Sequence, residues 1–323
     1  MVENINDQFL PEISVIIPIY NGEQDLPDLI NCLYQQTYPQ KKVEYLLVNN
    51  NSQDNTENIL KTLTEKAKLD KFPLFYLNEN EIQSSYAARN KGIKASKSDI
   101  LVFTDADCRP NSDWLTNLIK PFKNPEIGIV VGEIIALEGD SFLEKYAESK
   151  HILSQKYTLE NLFCSYGQTA NLAIRKDCFR EIGLFRPYLT TGGDADICWR
   201  ILRETNWQIK FAETAIIKHR HRQNITELKK QWRRYGTSYK YLHELYNTSL
   251  NRDLTTQETL YRLTRWLLKE IPVSTLKIIL DKGDIVDIIK TPLDLICFRE
   301  MTKGKNESKL PEKARQIEYL IDN

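Results

Sequence analysis

The chain has 323 residues, with 44 Lys and Arg balanced by 44 Asp and Glu, 41% hydrophobic residues and 27% charged ones. That composition is ordinary for a folded globular protein, and the length allows one large domain with an appendage, or two domains. Zero net charge excludes a domain built for bulk polyanion binding, so no nucleic-acid partner is expected. No apolar run approaches the ~20 residues that span a bilayer; the longest, around Ile13–Ile19 and Ile278–Ile289, are too short or carry charge. The first twelve residues are acidic and polar, the reverse of a secretory leader, which points to a cytoplasmic protein. Six cysteines (32, 108, 164, 178, 198 and 297) show no C-x-x-C spacing. Unpaired thiols in a reducing compartment are therefore expected, and a structural zinc site is not.

Periodicity places the elements in order. Ile13–Ile19 is continuously apolar and is expected as a buried strand, followed by a helix over Asp25–Gln36 with Pro27 in its first turn. Tyr45–Val48 is a second strand. Ser52–Leu69 opens on the capping types Ser52, Asp54 and Asn55 and continues with Ile59, Leu60, Leu63 and Ala67 at helical spacing. Leu74–Leu77, Ser84–Ala95 and Ile100–Thr104 repeat the strand–helix–strand rhythm. Ile127–Leu137, Ala170–Arg175 and Ile209–His219 read as further strands. The alternation predicts an α/β fold, a Rossmann-like, mostly parallel sheet flanked by helices. From about residue 226 the pattern becomes helical, over Thr226–Tyr246, Thr256–Ile271 and Ser274–Lys290, and the charged residues from Lys303 onward are expected to fray. The expected division is a sheet-bearing domain over 1–225 and a helical C-terminal extension over 226–323.

In such sheets ligands bind outside the carboxyl ends of the strands, which selects the loops Tyr20–Gln24, Asn49–Asp54, Asn78–Ser85 and Asp105–Arg109. Phe103-Thr104-Asp105-Ala106-Asp107 sets two carboxylates one residue apart at a strand end. Hard divalent cations that carry a diphosphate are held by one or two such carboxylates; the plainer alternative is a pair of solvated loop acids. Gly192-Gly193-Asp194-Ala195-Asp196 opens a helix, so either acid could serve only as a cap. His219 ends the last strand and is a candidate metal ligand. Residues 218–240 hold eight basic groups against one acid, interleaved with Trp232, Tyr235 and Tyr239 and followed by Tyr241. This helix could face anionic lipid or a diphosphate, or be a solvated face with its aromatics in a core.

Six segments in order carry a resemblance: S-V-I-I-P-I-Y-N-G-E (14–23), L-L-V-N-N-N-S-Q-D-N-T (46–56), A-A-R-N-K-G (87–92), F-T-D-A-D (103–107), A-N-L-A-I-R (170–175) and G-G-D-A-D-I-C-W-R (192–200). Over roughly residues 12–222 the chain resembles a family 2 glycosyltransferase of the GT-A fold. The resemblance implies an inverting enzyme that takes a sugar from a nucleotide-sugar donor, a UDP-sugar favoured, with Mn²⁺ or Mg²⁺. It implies a saccharide or lipid-linked saccharide as acceptor, and a role in building cell-envelope polysaccharide. By motif position, Pro18 and Tyr20 flank the nucleobase, Asn50 reads its edge, and Arg89 and Asn90 lie near the ribose and phosphates. Asp105 is the ribose-side acid, Asp107 and His219 are the metal ligands, and Asp194 is the general base. Asp196, Gln231 and Arg234 are candidate acceptor or diphosphate contacts, the last two from the segment Gln231–Tyr235, which resembles Q-x-x-R-W.

The chain departs from the family pattern at Asn49-Asn50-Asn51, where paired acids are usual, and at Gly193, where an acid commonly precedes the base. The asparagine triplet keeps open a catalytically silent nucleotide-sugar-binding partner. A D-x-D phosphotransferase of the haloacid-dehalogenase type fits less well, because Cys108-Arg109 follows where Thr or Val is normal. A dinucleotide-binding dehydrogenase would need G-x-G-x-x-G after the first strand, which Tyr20–Glu23 does not supply. The stripe Leu260, Leu263, Leu267 and Ile271 reads as a cap on the core, or as peripheral attachment to the cytoplasmic face of a membrane.

Overall fold

A computed structural model describes residues 9–250 and 252–320. The elements, in chain order, are β1 (Ile13–Ile19), α1 (Leu26–Tyr34), β2 (Val43–Asn49), α2 (Thr56–Leu69), β3 (Leu74–Asn78), α3 (Ser85–Ala95), β4 (Ile100–Phe103) and β5 (Cys108–Pro110). They continue with α4 (Trp114–Ile119), β6 (Ile127–Ala136), α5 (Phe142–Ser149), α6 (Gln155–Leu159), β7 (Leu172–Arg175), α7 (Lys176–Ile182), α8 (Gly193–Glu204) and β8 (Gln208–His219). The helices α9 (Ile225–Tyr246), α10 (Thr256–Arg265), α11 (Ile271–Ile279) and α12 (Ile285–Glu307) complete the set, with a π turn over Trp266–Glu270.

The chain divides into two compact units, and neither is contiguous. One comprises residues 1–135, 153–219 and 311–323; the other comprises 136–152 and 220–310. The units therefore differ from the linear segments 1–225 and 226–323: α5 belongs with the late helices, and the segment after Leu310 belongs with the sheet.

The first unit is an eight-stranded sheet in the order β3-β2-β1-β4-β7-β6-β8-β5. Strands β3, β2, β1 and β4 pair in parallel, as continuous apolar runs joined by helical crossovers require. Strand β1 is buried along its whole length. Pro18 is tolerated there because the carbonyls of Ile16 and Ile19 face β4 and β2 respectively. The missing N–H of Pro18 thus falls on the β4 side, beyond the last β1–β4 pair at Ile16 and Phe103. Strand β7 runs antiparallel to β4 and β6, and β5 antiparallel to β8. Asn171 ties this half together: its amide donates to the carbonyls of Glu133 and Ala215 at 2.8 Å, and its oxygen accepts from the Trp114 indole at 2.8 Å. A Cβ on Gly132 would meet that amide at 2.4 Å.

The expected frayed tail is instead ordered from Lys303 to Leu320, with 321–323 outside the described residues. Helix α12 runs through to Glu307, and beyond it Ala314 is fully buried in the first unit. There the Leu184 amide donates to the Glu318 carbonyl at 2.7 Å, and Lys94 pairs with the Glu318 carboxylate at 2.7 Å. A strap of extended chain offers no helical periodicity, so the sequence pattern does not reveal it. The helix expected over Ser274–Lys290 is also two helices, broken where Asp281 takes a left-handed conformation (φ +53°). Aspartate visits that region more readily than most residues.

In the second unit Leu143, Tyr146, Leu228, Val286, Leu293 and Cys297 form a core. Helices α9 and α12 cross at two glycines. A Cβ on Gly236 would lie 1.9 Å from the Met301 carbonyl, and one on Gly304 1.9 Å from the Arg233 carbonyl. Among the described residues no helix is long and apolar enough to cross a membrane.

Candidate active site

The parallel strands end in register, Ile19 beside Asn49 and Asn49 beside Asn78, so their following loops share one edge. Strand order reverses around β1, between β2 and β4, which is where open α/β sheets leave a crevice. The first loop is fastened to the second. The amides of Asn21 and Gly22 donate to Ser52 Oγ and Thr56 Oγ1, and the amide of Gln53 donates to Asn21 Oδ1. Tyr20 stands at the rim with 54% of its surface exposed, a ring free to stack on a planar ligand.

Asn50 is buried beside it, and its Nδ2 donates to the carbonyls of Glu79 and Ile82, each at 2.9 Å. Both amide hydrogens are spent on holding the third loop. Among the described residues its Oδ1 meets only Gln83 Nε2, at 3.5 Å, and so keeps capacity to accept from an N–H donor. Asn90 has both ends of its amide engaged. Its amide donates to the Phe185 carbonyl at 2.8 Å and its oxygen accepts from the Phe185 amide at 3.1 Å, which ties α3 to the loop before α8. Pro18 is buried in β1, two residues before the rim.

Arg89, on α3, is buried and reaches Asp105 Oδ1 at 2.5 Å. Its Nε is buried without a hydrogen-bond partner among the described residues, a donor left over for a ligand. The antiparallel register of β5 and β8 sets His219 opposite Cys108, and this brings His219 Nε2 to 3.3 Å from Asp107 Oδ1. Adjacent ligands on an octahedral cation with ~2.1 Å bonds lie about 3 Å apart, so this carboxylate and imidazole fit a shared divalent ion. Cys108 Sγ lies within 4.8 Å of both ligand atoms. Burial pushes its thiol well above the usual range, with Asp107 and Asp105 adding to the effect.

Asp194 enters from α8. Gly192, at φ +80°, turns the chain into that helix, and the Gly193 amide donates to the Tyr86 hydroxyl at 2.9 Å. A Cβ on Gly193 would strike the Tyr86 ring at 2.6 Å. The glycine that replaces the expected acid is therefore demanded by packing. Thr169 Oγ1 donates to Asp194 Oδ1 at 2.9 Å and fixes that carboxylate. Asp196 turns the other way. It is fully buried, with Oδ1 on Arg186 at 2.8 Å and Oδ2 on Arg200 at 3.0 Å. The acceptor or diphosphate contact expected of Asp196 is thereby replaced by a structural one.

The charged groups share one electrostatic neighbourhood. Burial pushes the Asp105 carboxyl above the usual carboxylate range; Arg89 pulls it back, Asp107 pushes it further up, His219 pulls down and Asp194 pushes up. Gln231 and Arg234 lie on α9 in the second unit, where Gln231 donates to the Tyr235 hydroxyl at 3.1 Å and Arg234 is exposed. A cavity of about 520 Å³ in that unit, lined by Glu258, Tyr261, Arg262, Arg265, Thr291 and Asp294, gathers opposite charges and none of these carboxylates. Tyr86, Thr169 and Arg186 escaped the motif reading, and Arg200 closed a quoted segment without being given a role. Only Arg200 carried a signal, standing four residues after Asp196 on one helix.

The strand ends and the start of α8 thus bring an acidic pair, a histidine and a further carboxylate into one neighbourhood. Residues 14–183 match the family described as Glycosyl transferase family 2, and residues 100–280 match Glycosyl transferase family group 2. The chain belongs to glycosyl transferase family 2. It is 34% identical over 227 residues to "Glycosyltransferase AglE" of Haloferax volcanii, which covers 69% of this chain and 72% of that one. It is also 29% identical over 111 residues, 34% of each chain, to the Methanococcus voltae "Dolichyl N-acetyl-alpha-D-glucosaminyl phosphate 3-beta-D-2,3-diacetamido-2,3-dideoxy-beta-D-glucuronosyltransferase". Among solved structures it shares its fold with the mannosyltransferase PcManGT of Pyrobaculum calidifontis in complex with GDP-Man and Mn²⁺. There the TM-score is 0.66 at 15% identity, over 93% of this chain and 89% of that one.

Proposed function

We propose that this glycosyltransferase moves a sugar, with inversion, from a nucleoside-diphosphate sugar to a hydroxyl of a saccharide or lipid-linked saccharide. The observation that carries the reading is the convergence of Asp105, Asp107, His219 and Asp194 at the carboxyl ends of the strands. Tyr20 would stack on the base, and the Arg89–Asp105 pair would meet the ribose and phosphates. Asp107 and His219 would hold Mn²⁺ or Mg²⁺, which when bound supplies Lewis-acid charge for the departing diphosphate.

Asp194 acts as the general base. An acceptor hydroxyl is a poor nucleophile near neutral pH, so a fixed carboxylate must take its proton as the new bond forms, help typically worth ~10²–10⁴-fold. Thr169 holds one oxygen of Asp194; among the described residues the other has no hydrogen-bond partner. Attack from the face opposite the diphosphate inverts the anomeric centre. A UDP-sugar is the favoured donor. The lipid-linked acceptor draws support from the dolichyl-phosphate substrate in the name of the Methanococcus relative, and it implies work at the cytoplasmic face of a membrane.

A panel of nucleotide sugars, with and without Mn²⁺ or Mg²⁺ and read by diphosphate release, tests the proposal. Asp107→Asn should lose metal-stimulated release while keeping its thermal midpoint. Asp194→Asn should lower transfer by ~10²–10⁴-fold with donor binding retained. Unchanged turnover in either variant removes the corresponding role.

A further inference from the structure

We propose that residues 256–280 form an in-plane anchor that lays one helical face into an anionic lipid surface. This deepens the peripheral attachment set out above by assigning it to a named surface, and it does not depend on which sugar is moved. On α10, the π turn and α11, only Ser274 is buried. Leu260 is 65% exposed, Leu268 71% and Ile279 73%, and Tyr261, Leu276 and Leu280 are exposed as well.

The π turn is what gathers these side chains onto one face. Ile279 follows Leu260 by nineteen residues, which on an uninterrupted α-helix leaves it about 100° round the axis. A π turn accommodates one extra residue, so the effective separation is about eighteen residues, five whole turns, and Ile279 lies beneath Leu260. Leu276 is brought by the same shift from about 160° to about 60°. Trp266 and Ser274 fall on the far side, at about 240° and 220°. There the Trp266 indole donates to the Ile288 carbonyl at 2.7 Å and Ser274 is buried. One side of the segment is thus docked on α12 and the opposite side is apolar and open.

The occupant is argued from charge. Between residues 256 and 280 stand Arg262, Arg265, Lys269 and Lys277 against Glu258 and Glu270. Arg262 stands over the Phe298 ring of α12 and Arg265 pairs with Glu270. That leaves Lys269 and Lys277 as the cations for headgroups, long basic side chains that reach outward while apolar neighbours sink into the acyl boundary. A second copy of the chain, packed face to face about a two-fold axis, would set these like charges against one another.

Sedimentation of the full chain with phosphatidylglycerol–phosphatidylcholine vesicles tests this, with phosphatidylcholine alone as control. Binding should require the anionic lipid, and Leu268→Glu with Ile279→Glu should abolish it. Lys269→Gln and Lys277→Gln should each weaken it about fivefold, as a charge worth ~1 kcal/mol near an anionic surface implies. Diphosphate release from a soluble donor should be the same in all these variants, so the anchor and the transferase reading fail separately. Absence of vesicle binding, or equal binding by the Leu268→Glu/Ile279→Glu chain, overturns the proposal. So does a dimer in gel filtration that this double substitution splits while vesicles remain unbound.

Discussion

Asp194 and Asp196 stand two residues apart in the first turn of α8, and the helix separates their work. Positions two apart point about 200° away from each other, so one carboxylate faces Thr169 and the strand ends while the other meets Arg186 and Arg200 in the interior. Arg200 also donates to the carbonyls of Ile182 and Leu184, each at 2.7 Å. The buried aspartate is therefore the hub on which the loop before α8 is built. Asp196→Asn leaves two arginines short of their counter-charge, and breaking a buried pair in this way costs about 3–5 kcal/mol. Denaturant titration should show that loss; an unchanged midpoint would contradict the hub. The motif G-G-D-A-D named both acids, but only helical geometry tells which one faces the site. Asn50 teaches a related lesson, since the carbonyls that take up its Nδ2 come from a distant loop.

At the scale of elements, the strand–helix alternation of the sheet was readable because buried parallel strands are continuous apolar runs. The late helices were harder. Pro292 and Gly304 lie inside α12, and both residue types argue against a helix interior, so the pattern seemed to stop at Lys290. Three-residue β5 is too short to show any period, yet it is what pairs with β8 and delivers His219. Gly304 and Gly236 are explained by the crossing of α12 and α9. Alanine is the better helix former by about 1 kcal/mol, but at Gly236 its Cβ would meet the Met301 carbonyl, which no rotamer change can move. Gly236→Ala should lower the stability of the second unit by ~1–3 kcal/mol, the usual cost of overpacking. Calorimetry that found it stabilised would show that the helices can part without loss.

At the scale of the whole molecule, the chain leaves the sheet unit, builds the helical unit, and returns. The returning strap binds through Ala314, the Glu318 carbonyl and carboxylate, and the Arg315 carbonyl, which accepts from Arg186. Arg186 in turn holds Asp196, so the strap reaches the foundations of α8. A chain ended at Leu310 should therefore unfold its first unit at a lower denaturant midpoint, and a midpoint equal to that of the full chain would show that the strap only rests there.

The strap also sets an order in time. Residues 311–320 are synthesised only after the helical unit at 220–310, about ninety residues that take roughly 5–20 s to translate. Throughout that interval Arg186 is without the Arg315 carbonyl to which it donates in the finished fold. The nascent enzyme is thus held one segment short of its finished catalytic unit until the helical unit has been made.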